Sequence, residues 1–160
     1  MTKTVSTGKR PLWRCHRCGH RFVTRNLAHS CGRYRLSDHF RGKDPGLREV
    51  FHAWVSAASA AGPVIVYAQK TRIVFQVRVR FGGAVVRTTW LDASLWLKRE
   101  VRHPRLLRIE NFGSLGYGLH FRLEQPKDVD RRLRALMREA YRVGAGEHMP
   151  VSQHQQQRTS

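Results

Sequence analysis

The stretch Ile73-Val74-Phe75-Gln76-Val77-Arg78-Val79-Arg80-Phe81-Gly82-Gly83 decides the fold of this 160-residue chain. Successive residues of a strand point to opposite faces, so Ile73, Phe75, Val77, Val79 and Phe81 share an apolar side while Gln76, Arg78 and Arg80 share a polar one. Gly82-Gly83 then predicts a hairpin turn, from which Val85–Leu91 returns antiparallel. Asp92-Ala93 reads as a second turn and Leu95-Trp96-Leu97-Lys98 as the next strand. Working outward, Val64–Tyr67 is a short strand before this region. Leu106–Ile109 and Leu119–Leu123 are strands after it, separated by the glycine-rich loop Gly113–Gly118.

Two helical stripes bracket the strands. Leu47, Val50, Phe51, Trp54, Val55 and Ala58 recur at three-and-four spacing, with Asp44-Pro45 as cap and first position and Gly62-Pro63 as the stop. Val129, Leu133, Leu136, Met137 and Ala140 form a second stripe between a capping Asp128 and Gly144, with Arg131, Arg132, Arg134 and Arg138 on its outside. Helix, strands, helix is the order of an α+β layer. The expected class is therefore α+β: an antiparallel sheet of about five to six strands, flanked by an N-terminal and a C-terminal helix on one face and preceded by a small cysteine-bearing segment.

All three cysteines fall in Trp13-Arg14-Cys15-His16-Arg17-Cys18-Gly19-His20 and His29-Ser30-Cys31-Gly32. Two thiolates with two residues between them reach one ion from a tight turn, for which Gly19 supplies a positive φ. Cys15, Cys18, His29 and Cys31 then complete a tetrahedral set for structural Zn2+, with no coordination position open to substrate. His29-x-Cys31 is tighter than the usual finger spacing, which leaves His16 and His20 as substitute ligands. Phe22 and Val23 are expected to pack beneath the knuckle. A disulfide framework would leave one of three thiols unpaired, so the cluster fits a reducing compartment. With no run near the roughly 20 apolar residues of a membrane span and no secretory signal in Met1-Thr2-Lys3-Thr4-Val5, the expected location is cytoplasmic, without a membrane.

Lys and Arg number 30 against 11 Asp and Glu, a formal net charge of +19. Such an excess repels itself in the compact state and points to a polyanionic partner, nucleic acid first, either DNA or RNA. The strand alternation concentrates part of that charge. Arg78 and Arg80 share the polar parity, Lys70 and Arg72 extend it through the preceding turn, and His120 and Arg122 share it across the sheet. These six residues are the expected anion or nucleic-acid surface, with Trp90, Trp96 and Tyr117 as stacking candidates, although Trp54, Trp90 and Trp96 suit a core better than a binding platform. A solvated outer sheet face is the plain alternative for the same residues. Other functional readings are a small-anion or metabolite-binding domain and a protein-interaction or regulatory adaptor. Catalysis has the least support: no nucleophile elbow or phosphate-cradling loop is present, no catalytic residue is assigned, and the few carboxylates have arginines to pair with.

Several motifs together resemble a known family. They are Trp13-x-Cys15-x-x-Cys18-Gly19, Phe22, Arg25-Asn26, His29-Ser30-Cys31-Gly32, Asp38-His39-Phe40-x-Gly42-Lys43, Gly62-Pro63-Val64, Lys70-Thr71-Arg72-Ile73, His103-Pro104-Arg105, Arg108-Ile109-Glu110, His120-Phe121-Arg122-Leu123 and Arg138-Glu139-Ala140-Tyr141. Over about Leu12 to Val143 the chain resembles bacterial proteins with domain of unknown function 5655, preceded here by a zinc-knuckle segment. The resemblance implies a small α+β domain and no established activity, and it places Lys70, Arg72, His120 and Arg122 inside recurring motifs. The expected organisation is a disordered basic tail at 1–10, a zinc-binding segment and linker at 11–43, the α+β domain at 44–144 and a disordered tail at 145–160.

Overall fold

The computed structural model describes residues 11–25, 29 and 31–147. The expected tail at 1–10 and most of that at 145–160 lie outside the described residues. Two short strands, β1 (Trp13–Arg14) and β2 (Arg21–Phe22), pair antiparallel around the first cysteines. A 3-10 turn at Leu36–Phe40 leads to α1 (Leu47–Ala61). Strands β3 (Ile65–Ala68), β4 (Ile73–Gln76), β5 (Arg80–Val86), β6 (Leu91–Leu97), β7 (Leu106–Asn111) and β8 (Tyr117–Leu123) follow, and α2 (Arg131–Gly144) closes the domain. The six strands form one antiparallel sheet in the order β3-β4-β5-β6-β8-β7. The chain passes over the position later filled by β8, so β7 becomes the outer strand.

Both helices lie on one face, as the apolar stripes require. Trp54, Leu47 and Val50 of α1 and Leu133, Met137 and Ala140 of α2 join Ile73, Phe75, Phe81, Leu95, Leu119 and Phe121 in one core. Trp54 is fully buried and donates its indole N–H to the carbonyl of Gly83 at 2.9 Å. Removing an aromatic from such a site costs about 3–5 kcal/mol. The cap of α2 is Asp130, whose Oδ1 accepts from Leu133 N at 2.8 Å. Asp128 serves the turn before it, accepting from Glu124 N and Gln125 N, so the capping role expected of Asp128 is divided between two aspartates.

The segmentation around Gly82-Gly83 differs from the sequence reading. The chain turns earlier, at Val77–Val79, where Val77 N donates to Val79 O and the amides of Arg78 and Val79 donate to the carbonyl of Gly144. The C-terminus of α2 therefore holds this turn, a tertiary contact no local pattern reveals. Gly82 and Gly83 sit inside β5, paired with Leu95 and Ser94. A Cβ at Gly83 would run into the carbonyl oxygen of Ile73, and one at Gly82 would lie 2.7 Å from that of Ser94. These glycines permit close strand approach; they do not make a turn. The next turn is Arg87–Trp90, not Asp92-Ala93, and both of those residues belong to β6.

Candidate metal centre and basic groove

The ligand atoms of Cys15, Cys18, His29 and Cys31 all lie within 4.8 Å of one another. Cys15 Sγ is 3.6 Å from Cys31 Sγ, while His29 Nε2 is 3.3 Å from Cys18 Sγ and 3.1 Å from Cys31 Sγ. The cysteines are free, and a sulfur separation this far above the roughly 2.0 Å of a disulfide suits atoms that share an ion between them. Local backbone explains the first pair: Cys15 N donates to His20 O, Gly19 N donates to Cys15 O, and Gly19 takes φ +77°. The backbone N–H of Cys18 is the largest influence on the Cys15 thiol and, helped by that of Arg17 against the opposing effect of burial, holds it down to about 6. Burial, together with the neighbouring sulfurs, pushes the Cys31 thiol up. His16 is exposed on the turn and His20 stacks on Tyr67 with ring centroids 4.0 Å apart. Neither substitutes in the cluster. Phe22 packs beneath it, 4.4 Å from the His29 ring, whereas Val23 is 54% exposed and turns away.

The metal segment lies over the face of the sheet that the helices leave uncovered, at the β3–β5 end. Gln76 donates its side-chain amide to the Arg21 carbonyl, Tyr67 donates to Gln76 Oε1 at 3.2 Å, and Arg80 Nε donates to the Tyr67 hydroxyl at 2.9 Å. The Arg80 guanidinium also sits 5.3 Å from the centroid of Phe22. Every residue of β4 is consequently buried, although its sequence reads as half-exposed. Beside this junction opens a groove of about 1150 Å³, with Phe22, Val23, Val79, Trp96 and Leu115 as apolar walls and Arg72, Arg78, Arg80 and Lys98 as cations. One carboxylate, Glu147, lines it at the α2 end.

The six residues expected on one basic face divide between two places. Lys70 is exposed in the β3–β4 turn, and Arg72, Arg78 and Arg80 line the groove. His120 and Arg122 stand on β8, where His120 pairs with Asp92 and Arg122 with Glu124. The match with a family model reaches from one place to the other: the family described as Domain of unknown function (DUF5655) covers residues 36–144. The chain belongs to this family. The four candidate metal ligands precede the DUF5655 region, so the knuckle lies outside the family match and packs onto the sheet that the match covers. No curated protein and no solved structure matches the chain.

Within the DUF5655 region, Asp92 is the residue whose role sequence reasoning missed. Its side chain is 1% exposed. Its Oδ1 takes a hydrogen bond from His120 Nδ1 at 3.0 Å, and Arg108 and Arg87 approach Oδ2 at 3.4 and 3.6 Å. Burial pushes this carboxyl up, but the His120 hydrogen bond and the charges of His120, Arg108 and Arg87 outweigh it and hold the group below its usual range. Arg122 pairs with Glu124 at 2.7 Å and covers Trp90 at 4.7 Å from its ring centroid. Trp90 and Trp96 are both half-buried on this face, and Trp96 donates to the carbonyl of Leu115 at the groove. Correct placement of the Arg87–Trp90 turn would have put Asp92, Ser94 and Trp96 on the same parity as His120 and Arg122. Among the described residues, no helix is long and apolar enough to cross a membrane.

Proposed function

We propose that the protein is a zinc-stapled module that binds single-stranded nucleic acid in the groove between the knuckle and the sheet. The observation that carries this reading is the combination of apolar and aromatic walls with cations that lack carboxylate partners: Arg72, Arg80 and Lys98 form no ion pair among the described residues. Bases stack on aromatic surfaces irrespective of sequence while arginines and lysines take the phosphates, and the net charge of +19 supplies the long-range attraction. His120 and Arg122 have a lesser part here than their parity suggests, because they already pair with Asp92 and Glu124. A small anionic metabolite is the second reading, favoured by the concavity of the groove and its apolar lining.

Zinc is the ion that suits the knuckle. Zn–S bonds of about 2.3 Å in a tetrahedron put sulfurs about 3.8 Å apart, against 3.6 Å between Cys15 and Cys31. Three thiolates and one imidazole make a closed Cys3His set, so the ion's role is structural. Purified protein should carry one zinc per chain; a content near zero under reducing conditions removes the assignment.

Binding is tested with the full zinc-loaded chain and single-stranded DNA and RNA across a salt series. If phosphates are neutralised, log affinity falls linearly with log salt by about 0.7 per contact. Arg72→Gln with Lys98→Gln should weaken binding several-fold more than Arg134→Gln with Arg138→Gln on the outer side of α2. Equal losses remove the groove as the site, and no binding at low salt to either polymer overturns the proposal.

A further inference from the structure

Where the groove meets the sheet it deepens into a pit of about 100 Å³. Arg72, Arg80 and Ser94 line it, Trp96 stands at its side, and strands β4, β5 and β6 form its floor. The pit has less than a tenth of the groove's volume. That is the scale of a tetrahedral oxyanion rather than of a length of strand.

The charge around the pit sets it apart from the rest of the sheet face. Toward β8 the cations stand beside carboxylates: Arg87 and Arg108 at Asp92, and Arg122 at Glu124. Arg72 and Arg80 make no ion pair among the described residues, and no carboxylate lines the pit. Both guanidinium groups are oriented before any ligand arrives. Arg72 Nε donates to Gln69 Oε1 at 3.0 Å, and Arg80 is fixed by the Tyr67 hydroxyl and by the rings of Phe22 and Tyr67. Nη2 of Arg80 has no hydrogen-bond partner among the described residues, although it is shielded from solvent. A donor left in that state is costly, so the Arg80 guanidinium beside the pit is left short of acceptors.

We propose that this pit seats a terminal phosphate monoester, so that the groove takes a phosphorylated end of the strand. The inference rests on the nucleic-acid reading of the groove and adds to it which part of the strand is recognised. Two unneutralised guanidinium groups match a monoester, which carries about −1.5 to −2 at pH 7. A phosphodiester inside the chain carries a single charge and is flanked by a sugar on each side.

The test compares single-stranded oligonucleotides of one sequence carrying a 5′-phosphate, a 3′-phosphate or hydroxyls at both ends, together with a covalently closed circle, by equilibrium binding to the full zinc-loaded chain. One of the two phosphorylated forms should bind about tenfold or more tighter than the hydroxyl-ended form. Arg72→Gln, an exposed position that leaves the core intact, should abolish that advantage while retaining residual binding. Arg80→Lys, which keeps the charge and loses the fork, should reduce the advantage at unchanged zinc content. Equal affinity for all four forms overturns the terminal-phosphate seat and leaves the groove's nucleic-acid function standing. Failure of every form to bind at low salt overturns both.

Discussion

Asp92 shows how a single side chain decides which part of the basic face is available. Its carboxyl is buried, yet it is held in the ionised form by His120, Arg108 and Arg87. A carboxyl whose folded-state pKa is depressed contributes stability that is fully present above the unfolded value of about 3.9 and is lost as pH falls through the lower folded value. Asp92→Asn should therefore destabilise the protein at neutral pH by about 1–3 kcal/mol, a cost moderated because its arginine partners remain partly hydrated. Urea midpoints of the two proteins should converge as pH falls from about 5 to below 3; a constant gap over that interval would show that the carboxylate charge is not the source. By contrast, Arg122–Glu124 joins two half-exposed groups, and such a pair is worth about 0.2–1 kcal/mol. The sequence reveals the parity of His120 and Arg122. It does not reveal their carboxylate partner, because Asp92 follows Arg87-Thr88-Thr89-Trp90-Leu91 and resembles a turn residue until the strand pairing is known.

Elements with one exposed side were legible, and those covered on both sides were misdivided. Helices α1 and α2 were recovered from their stripes because each has a solvent face to contrast with its buried one. Strand β4 lacks that contrast, since α1 covers one side and the metal segment the other. The glycines of β5 illustrate the same ambiguity: two adjacent glycines suit a hairpin turn, and equally a place where strands must approach without Cβ atoms. Gly83 is of the second kind, next to the Ile73 carbonyl and accepting the Trp54 indole N–H at its own carbonyl. Gly83→Ala should force β4 away from β5, destabilising the domain by about 1–3 kcal/mol or more. A turn glycine would respond differently, because substitution there leaves strand pairing intact. Amide exchange discriminates the cases: loss of protection in Ile73–Gln76 is expected, and unchanged protection there with a lower global stability would place the strain elsewhere.

At the scale of the whole molecule, the knuckle and the DUF5655 domain share one surface, and the groove exists because of both. Phe22 and Val23 form one wall, while Arg80, Trp96 and Leu115 come from the domain. The two parts differ in what holds them. The domain has a core of two helices and six strands, whereas among the described residues the metal segment offers only Cys15 and Phe22 as buried apolar residues before Phe40. In isolated finger peptides metal binding contributes about 10–16 kcal/mol at pH 7, which is folding free energy. A strong chelator should therefore release the knuckle and leave the domain folded: far-UV circular dichroism is nearly unchanged, and the indole of Trp54 stays protected. Exchange should quicken at Tyr67 and Gln76, which the segment covers through His20 and Arg21. Nucleic-acid affinity should fall together with zinc content, because Arg80 loses the Phe22 ring that helps to orient it. By reciprocity, bound oligonucleotide should slow zinc loss to the chelator by the same coupling that zinc exerts on binding. If zinc is removed and oligonucleotide affinity is unchanged, the knuckle is no wall of the binding surface, and the site must be sought on the β8 side of the sheet.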